Sequence, residues 1–149
     1  MTDFVDVNNA RPGVGKYQNV IRDIAEKQVC PFCPEHIASF HCNPIERREH
    51  WLVTDNMYPY KPSRSCVLII HIKHIEHAAD ISPDAWRELG EIYSDVIAAR
   101  GIAGGTIMMR FGETRFTGAS VTHLHAHLIQ SDPDSPDYDA AAGLRIRLG

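Results

Sequence analysis

Thr122-His123-Leu124-His125-Ala126-His127-Leu128-Ile129 is the stretch on which the reading of this chain turns. Side chains alternate between the two faces of a β-strand, so His123, His125 and His127 fall together on one face and Leu124, Ala126 and Leu128 on the other. The second set is core material. The first set has three readings: a polar face in contact with water, a three-histidine metal site, or a nucleophile flanked by two assistants. Neighbouring i and i+2 histidines share a metal only when further ligands arrive from elsewhere. The nucleophile reading needs nothing more, because a neutral imidazole attacks well near pH 7.

Working outward, Ser120–Ile129 reads as a strand preceded by a turn-rich loop at Gly112–Gly118, and Thr106–Phe111 reads as its neighbour. The clearest helix starts with Ser82 as N-cap and Pro83 at its first position, places Trp86, Leu89, Tyr93, Val96 and Ile97 on one face, and stops at Gly101. Cys66–Ile72 is a nearly continuous apolar run, as in a buried strand. His50–Thr54 is a shorter strand after a charged turn at Pro44–Glu49, and Asp55–Pro62 is a loop by its Asn and Pro content. Gln18–Val29 has the spacing of a short amphipathic helix. Residues 1–16 read as a flexible arm. Ser131–Asp139 reads as a solvated loop, and Gly143–Gly149 as a short strand through Leu144, Ile146 and Leu148. No internal repeat appears. The expectation is one α+β domain over residues 17–149, a central antiparallel sheet with one main helix packed on it.

Bulk properties narrow the function classes. The chain has 149 residues, 44% of them hydrophobic and 23% charged, which suits one globular domain. A formal charge of -4 argues against a general nucleic-acid or membrane-surface binder. No apolar run approaches the ~20 residues of a membrane span, and the N-terminus lacks the apolar segment of a secretory signal, so a cytoplasmic location is expected. In that compartment four cysteines are metal ligands or free thiols. Cys30-Pro31-Phe32-Cys33 fits either a redox pair or half of a zinc site, and the redox reading lacks a βαβ context.

The triad resembles the His-φ-His-φ-His-φ-φ motif of the histidine-triad superfamily, and Gly118-Ala119-Ser120-Val121-Thr122 is similar to that family's Gly-x-Ser-Val-x lead-in. Upstream, Asn56-Met57-Tyr58-Pro59-Tyr60, then Cys66–Ile70, then Lys73-His74 resemble its diadenosine-tetraphosphate phosphorylase-like branch. The resemblance implies a covalent nucleotidyl-histidine on His125, assisted by His127, with Ser120 and Gly118 at the phosphate and Asn56 among the nucleotide contacts. It also implies a structural zinc on Cys30, Cys33, His74 and His123, and a homodimer. Aromatic and apolar residues from Trp51 to Tyr60 are expected to receive base and ribose. Three positions depart from the pattern. Cys66 stands where members carry a histidine. No Asn precedes Gly112, leaving Arg110 or Arg115 as the phosphate donor. Gln130-Ser131 replaces Pro-Arg after the triad.

The function expected is a nucleotidyl hydrolase or transferase acting at the α-phosphate of a dinucleoside polyphosphate or nucleoside phosphoramidate, with a phosphorylase as the nearest variant. The rival from another class is a non-catalytic nucleotide sensor or adaptor, and a third reading is a small zinc-stabilised interaction module.

Overall fold

The computed structural model describes residues 4–11 and 15–149. Its five strands form one antiparallel sheet in the order β1-β2-β3-β5-β4. They are β1 (Ile45–Arg47), β2 (Trp51–Asp55), β3 (Ser63–His71), β4 (Thr106–Arg110) and β5 (His125–Ser131). The helices are α1 (Gly15–Lys27), α2 (Ile37–Phe40), α3 (Pro83–Arg100) and α4 (Thr114–Thr117). The α+β expectation holds, with β5 in the interior of the sheet between β3 and β4.

One face of the sheet is the main core. Trp51, Val53, Val67, Ile69, Ala126 and Leu128 meet Ala85, Leu89 and Ile92 of α3. That helix is fixed as its sequence foretells: Ser82 Oγ accepts from Ala85 N, Pro83 opens the first turn, and Gly101 closes the last with φ 59°, which a residue without Cβ adopts freely. The Trp51 indole donates to Ala85 O at 2.8 Å, tying β2 to the start of α3. Leu124, Ala126 and Leu128 do face this core.

The opposite face is covered by α1, by the segment around Cys30–Phe40 and by both terminal stretches. Leu68 and Ile70 pack there with Ile37, while Ile21 and Ile24 of α1 cluster with Val5, Ala10 and Val121. Leu68 pairs with His127 and Ile70 with His125, so the last two triad histidines stand on this second face.

Several elements differ from their expected form. The charged stretch expected as a turn contains β1, a short strand at the sheet edge, where charge is tolerated and discourages further pairing. The strand of the triad begins at His125 rather than Ser120. Residues 120–124 instead bond to other segments: Thr122 N to Phe4 O, Val121 to Val5 by a bridge, and Leu124 N to Ile75 O. Part of the stretch expected as a flexible arm lies on the domain: Asp6 caps a 3-10 turn at Val7–Asn9, and the Asn9 amide donates to Thr114 O and Ala119 O. The rest of that stretch, residues 1–3 and 12–14, lies outside the described residues. The C-terminal stretch is not a strand. It runs across the sheet face, where Leu144 and Ile146 pack on Tyr60, Cys66 and Ile129, and its Arg147 carbonyl accepts from the Arg110 side chain instead of a strand neighbour.

Candidate active site and metal cluster

Between the second sheet face and α1 lies a cavity of about 420 Å³. His125 and His127 form its floor. Ser120 and Gly118 come from the loop before the triad, and Asn56, Tyr58 and Tyr60 from the β2–β3 connection. Val20, Ile21, Ile24, Phe32 and Phe40 make an apolar wall. Arg11, Arg110, Arg145 and Arg147 line the rest, and among the described residues no Asp or Glu does.

His125 is held in one tautomer. Its Nδ1–H donates to the His123 carbonyl at 2.8 Å, so the lone pair sits on Nε2. Nε2 has no protein partner among the described residues, and the ring lines the cavity. Burial pushes this imidazole down to about 4, with the Arg110 charge adding to burial and the bond to the His123 carbonyl opposing it. The ring is therefore neutral, which is the nucleophilic form. His127 lies with its ring 5.1 Å from that of His125 and is also driven well below its usual range, first by burial and then by His125 and Arg110. Its Nδ1 is buried without a hydrogen-bond partner among the described residues, as is Arg110 Nε. Such unpaired groups cost about 1–3 kcal/mol each unless a ligand or water engages them.

The other expected contacts are partly committed elsewhere. Ser120 Oγ hydrogen-bonds the Tyr17 hydroxyl. Gly118 N–H donates to Thr114 O at 2.8 Å, closing α4, so what this residue offers the cavity is a bare Cα. Asn56 Oδ1 accepts from Tyr58 N, and its amide donates to the Cys66 thiol at 3.8 Å. Cys66 thus fills the place of the absent histidine as a buried partner of Asn56. Arg110 donates to the Tyr60 hydroxyl and to Arg147 O. Arg115 lies outside the cavity, ion-paired to Glu113.

The expectation for the base pocket needs correction at Trp51. That ring is fully buried on the α3 face and cannot line the cavity, whereas Met57, Tyr58 and Tyr60 do. Most of the apolar wall comes from α1 and from Phe32 and Phe40. The signal for α1 was its amphipathic spacing, which does not say whether a stripe meets core or ligand. Arg11, Tyr17, Arg145 and Arg147 were not foreseen. His71 ends β3 and is buried against Trp51. His77 accepts from Ala79 N and caps a short 3-10 turn.

A second cluster adjoins the triad. Ligand atoms of Cys30, Cys33, His74 and His123 all lie within 4.8 Å of one another. Cys30 Sγ is 3.2 Å and Cys33 Sγ 3.7 Å from His123 Nδ1, and Cys33 Sγ is 3.4 Å from His74 Nδ1. Bonds of about 2.0–2.3 Å from a tetrahedral zinc produce separations of this order. The far nitrogens are engaged as well: His123 Nε2–H donates to His71 O at 2.6 Å, and His74 Nε2 faces Glu76 Oε1 at 3.3 Å. Both imidazoles therefore aim an Nδ1 lone pair at the thiols, with the outer partners that metal-bound histidines keep. Burial pushes both thiols up, and the neighbouring Cys30 helps push Cys33 to about 12. The four residues are thus compatible with a zinc ion.

No protein-family model matches the chain, and no curated protein matches it. Solved structures do. A HIT family hydrolase from Clostridium thermocellum is 25% identical, with a TM-score of 0.51 over 68% of this chain and 90% of that one. A histidine triad nucleotide-binding protein from Candida albicans is 18% identical, with a TM-score of 0.58 over 76% of this chain and 78% of the other. A zinc-bound histidine triad family protein from Mycobacterium smegmatis is 19% identical, with a TM-score of 0.52 over 67% and 73%.

Proposed function

We propose that this chain, which has the fold of the histidine-triad superfamily, is a nucleotidyl hydrolase or transferase working through a covalent nucleotidyl-His125. The observation that carries the reading is the state of His125: neutral, fixed by its Nδ1–H bond to His123 O, with Nε2 free beside an apolar slot and cationic groups. The base lies against Ile21, Ile24, Phe32 and Phe40. The α-phosphate lies over His125, within reach of Ser120, His127 and Arg110. Nε2 attacks phosphorus, the P–O or P–N bond to the leaving group breaks, and the bonding pair departs with that group. Arg110 offsets the charge that builds on the phosphoryl oxygens. An acceptor, water or phosphate, then displaces His125.

Cys30, Cys33, His74 and His123 would hold a structural zinc, and their shared cluster would tie the loop after α1 to the residue whose carbonyl orients His125. The zinc-bound relative supports this assignment. A homodimer fits the open β4 edge, where Ile107 and Phe111 are exposed. A cytoplasmic location remains part of the same reading.

The test is His125→Ala. Turnover of adenylated substrates should vanish while nucleotide affinity stays within about tenfold, because the change removes the reacting atom and few ground-state contacts. A wild-type protein that binds nucleotides and turns none over, across a panel of dinucleoside polyphosphates and phosphoramidates, would establish the sensor reading instead.

A further inference from the structure

One phosphate at His125 is served by Ser120, His127 and Arg110, which leaves three guanidinium groups of the same cavity without a task. Among the described residues the Arg11 side chain donates only to the carbonyls of Tyr58 and Pro59, and it lies over the Tyr60 ring at 4.4 Å. Arg145 donates through Nε to Ala142 O at 3.3 Å, and Arg147 through Nε to Gly149 O at 2.8 Å. The terminal nitrogens of both have no partner among the described residues. None of the four cavity arginines is paired with an Asp or Glu among those residues, although the rest of the surface carries several Arg–carboxylate pairs.

Arg145 and Arg147 are themselves exposed, but the stretch that carries them is docked on the domain. Leu144 and Ile146 dock on Tyr60, Cys66 and Ile129, which leaves the alternate residues Arg145 and Arg147 to line the cavity. Arg110 grips the Arg147 carbonyl at 2.5 Å and so fixes the tail beside the triad. Clustered like charges repel, and an anion that matches the guanidinium fork relieves that repulsion.

We propose that Arg11, Arg145 and Arg147 form a second anion subsite beside the triad, which takes the leaving group of the substrate and selects one bearing at least one further phosphate. The inference rests on the nucleotidyl-transfer reading and deepens it: the scissile bond is P–O–P, not P–N. His125 Nε2 forms the N–P bond, the P–O bond to the bridging oxygen breaks, and the electron pair stays on that oxygen. The departing phosphate is stable as an anion and needs no proton, and the three arginines hold its charge. An amine leaving group would need a proton and would enter a cationic wall.

The experiment measures binding by calorimetry of AMP, ADP, ATP and inorganic tripolyphosphate, without divalent cations, to the His125→Ala protein. Affinity should rise at least tenfold from AMP to ATP. With Arg145→Ala and Arg147→Ala added, that gain should fall to threefold or less while AMP affinity changes less than threefold. Circular dichroism and melting curves confirm that each variant is folded, and Arg147→Lys in place of Arg147→Ala, beside Arg145→Ala, should restore part of the gain. A gain that is absent, or that survives the double substitution, overturns the subsite. If no nucleotide binds, the nucleotidyl-transfer reading fails on its own. Tripolyphosphate then decides the subsite alone: binding lost with the two arginines supports it, and binding unaffected or absent refutes it.

Discussion

Gly118→Ala links the loop before the triad to the tail that lines the cavity. Gly118 has φ 66° and ψ 16°, the left-handed region, and a Cβ built there lies 3.1 Å from Gly149 N and 3.5 Å from Arg147 O. An L-residue in that region costs roughly 1–2 kcal/mol, and the lost chain entropy of glycine in the unfolded state returns about 0.4–1 kcal/mol. The 3.1 Å contact forces the tail outward by a few tenths of an ångström, which adds to the cost and moves Arg147. The net destabilisation is about 1–2 kcal/mol, and for a chain of this size that lowers Tm by roughly 2–8 °C. Gly118→Asn separates the causes. Asparagine tolerates the left-handed region, so it removes part of the backbone cost, but its Cβ meets the same tail atoms. Calorimetric melting should therefore rank wild type above Asn above Ala. Both variants should lose part of the ATP-over-AMP gain in affinity. An Ala variant as stable as wild type would refute the strain argument. Unchanged ATP affinity in both would refute the coupling of this loop to the tail.

Other outcomes follow from the same geometry. Protein purified without chelator should contain about one zinc per chain by elemental analysis, and Cys33→Ser should lose the metal and melt lower, because metal binding and folding are coupled; equal stability without metal counts against the cluster. Thr54 Oγ1–H donates to Pro44 O, so the His41 Nε2–H must donate to Thr54 Oγ1, leaving Nδ1 as an acceptor on a cavity-lining ring. Thr54→Val should release that tautomer and shrink any preference for AMP over IMP in a binding titration; a preference left intact would show that His41 does not read the base. Ser82→Ala removes the α3 cap and should cost about 1 kcal/mol in denaturant unfolding with kcat/KM unchanged; a drop in activity would mean that α3 reaches the site.

The alternation of His123, Leu124, His125, Ala126 and His127 was legible because it has only one regular solution, a strand with unlike faces. The α3 boundaries were legible because capping chemistry is local. His123, though, lies ahead of β5, where Leu124 N bonds to Ile75 O, and there it meets the thiols. The resemblance implied that pairing; the spacing of the cysteines alone left it open. Trp51 and α1 were harder, since an apolar side chain reads the same whether it meets the core or a ligand. The arginines of the tail were illegible for another reason. Arg145 and Arg147 alternate with Leu144 and Ile146 as in a strand, and only tertiary contact shows that this stretch crosses the sheet face.

The placement of the arginines also bears on how the site can change. Along β5, Ala126 and Leu128 are locked into the α3 core while His125 and His127 line the cavity, so the strand has little freedom to vary on either face. The arginines of the proposed anion subsite come instead from two coil stretches, at Arg11 and at Arg145 and Arg147, that no strand register constrains. A mutational library confined to positions 145 and 147 should therefore alter which leaving group is accepted without disturbing the nucleophile. In that arrangement selectivity and reactivity would sit on separate pieces of chain.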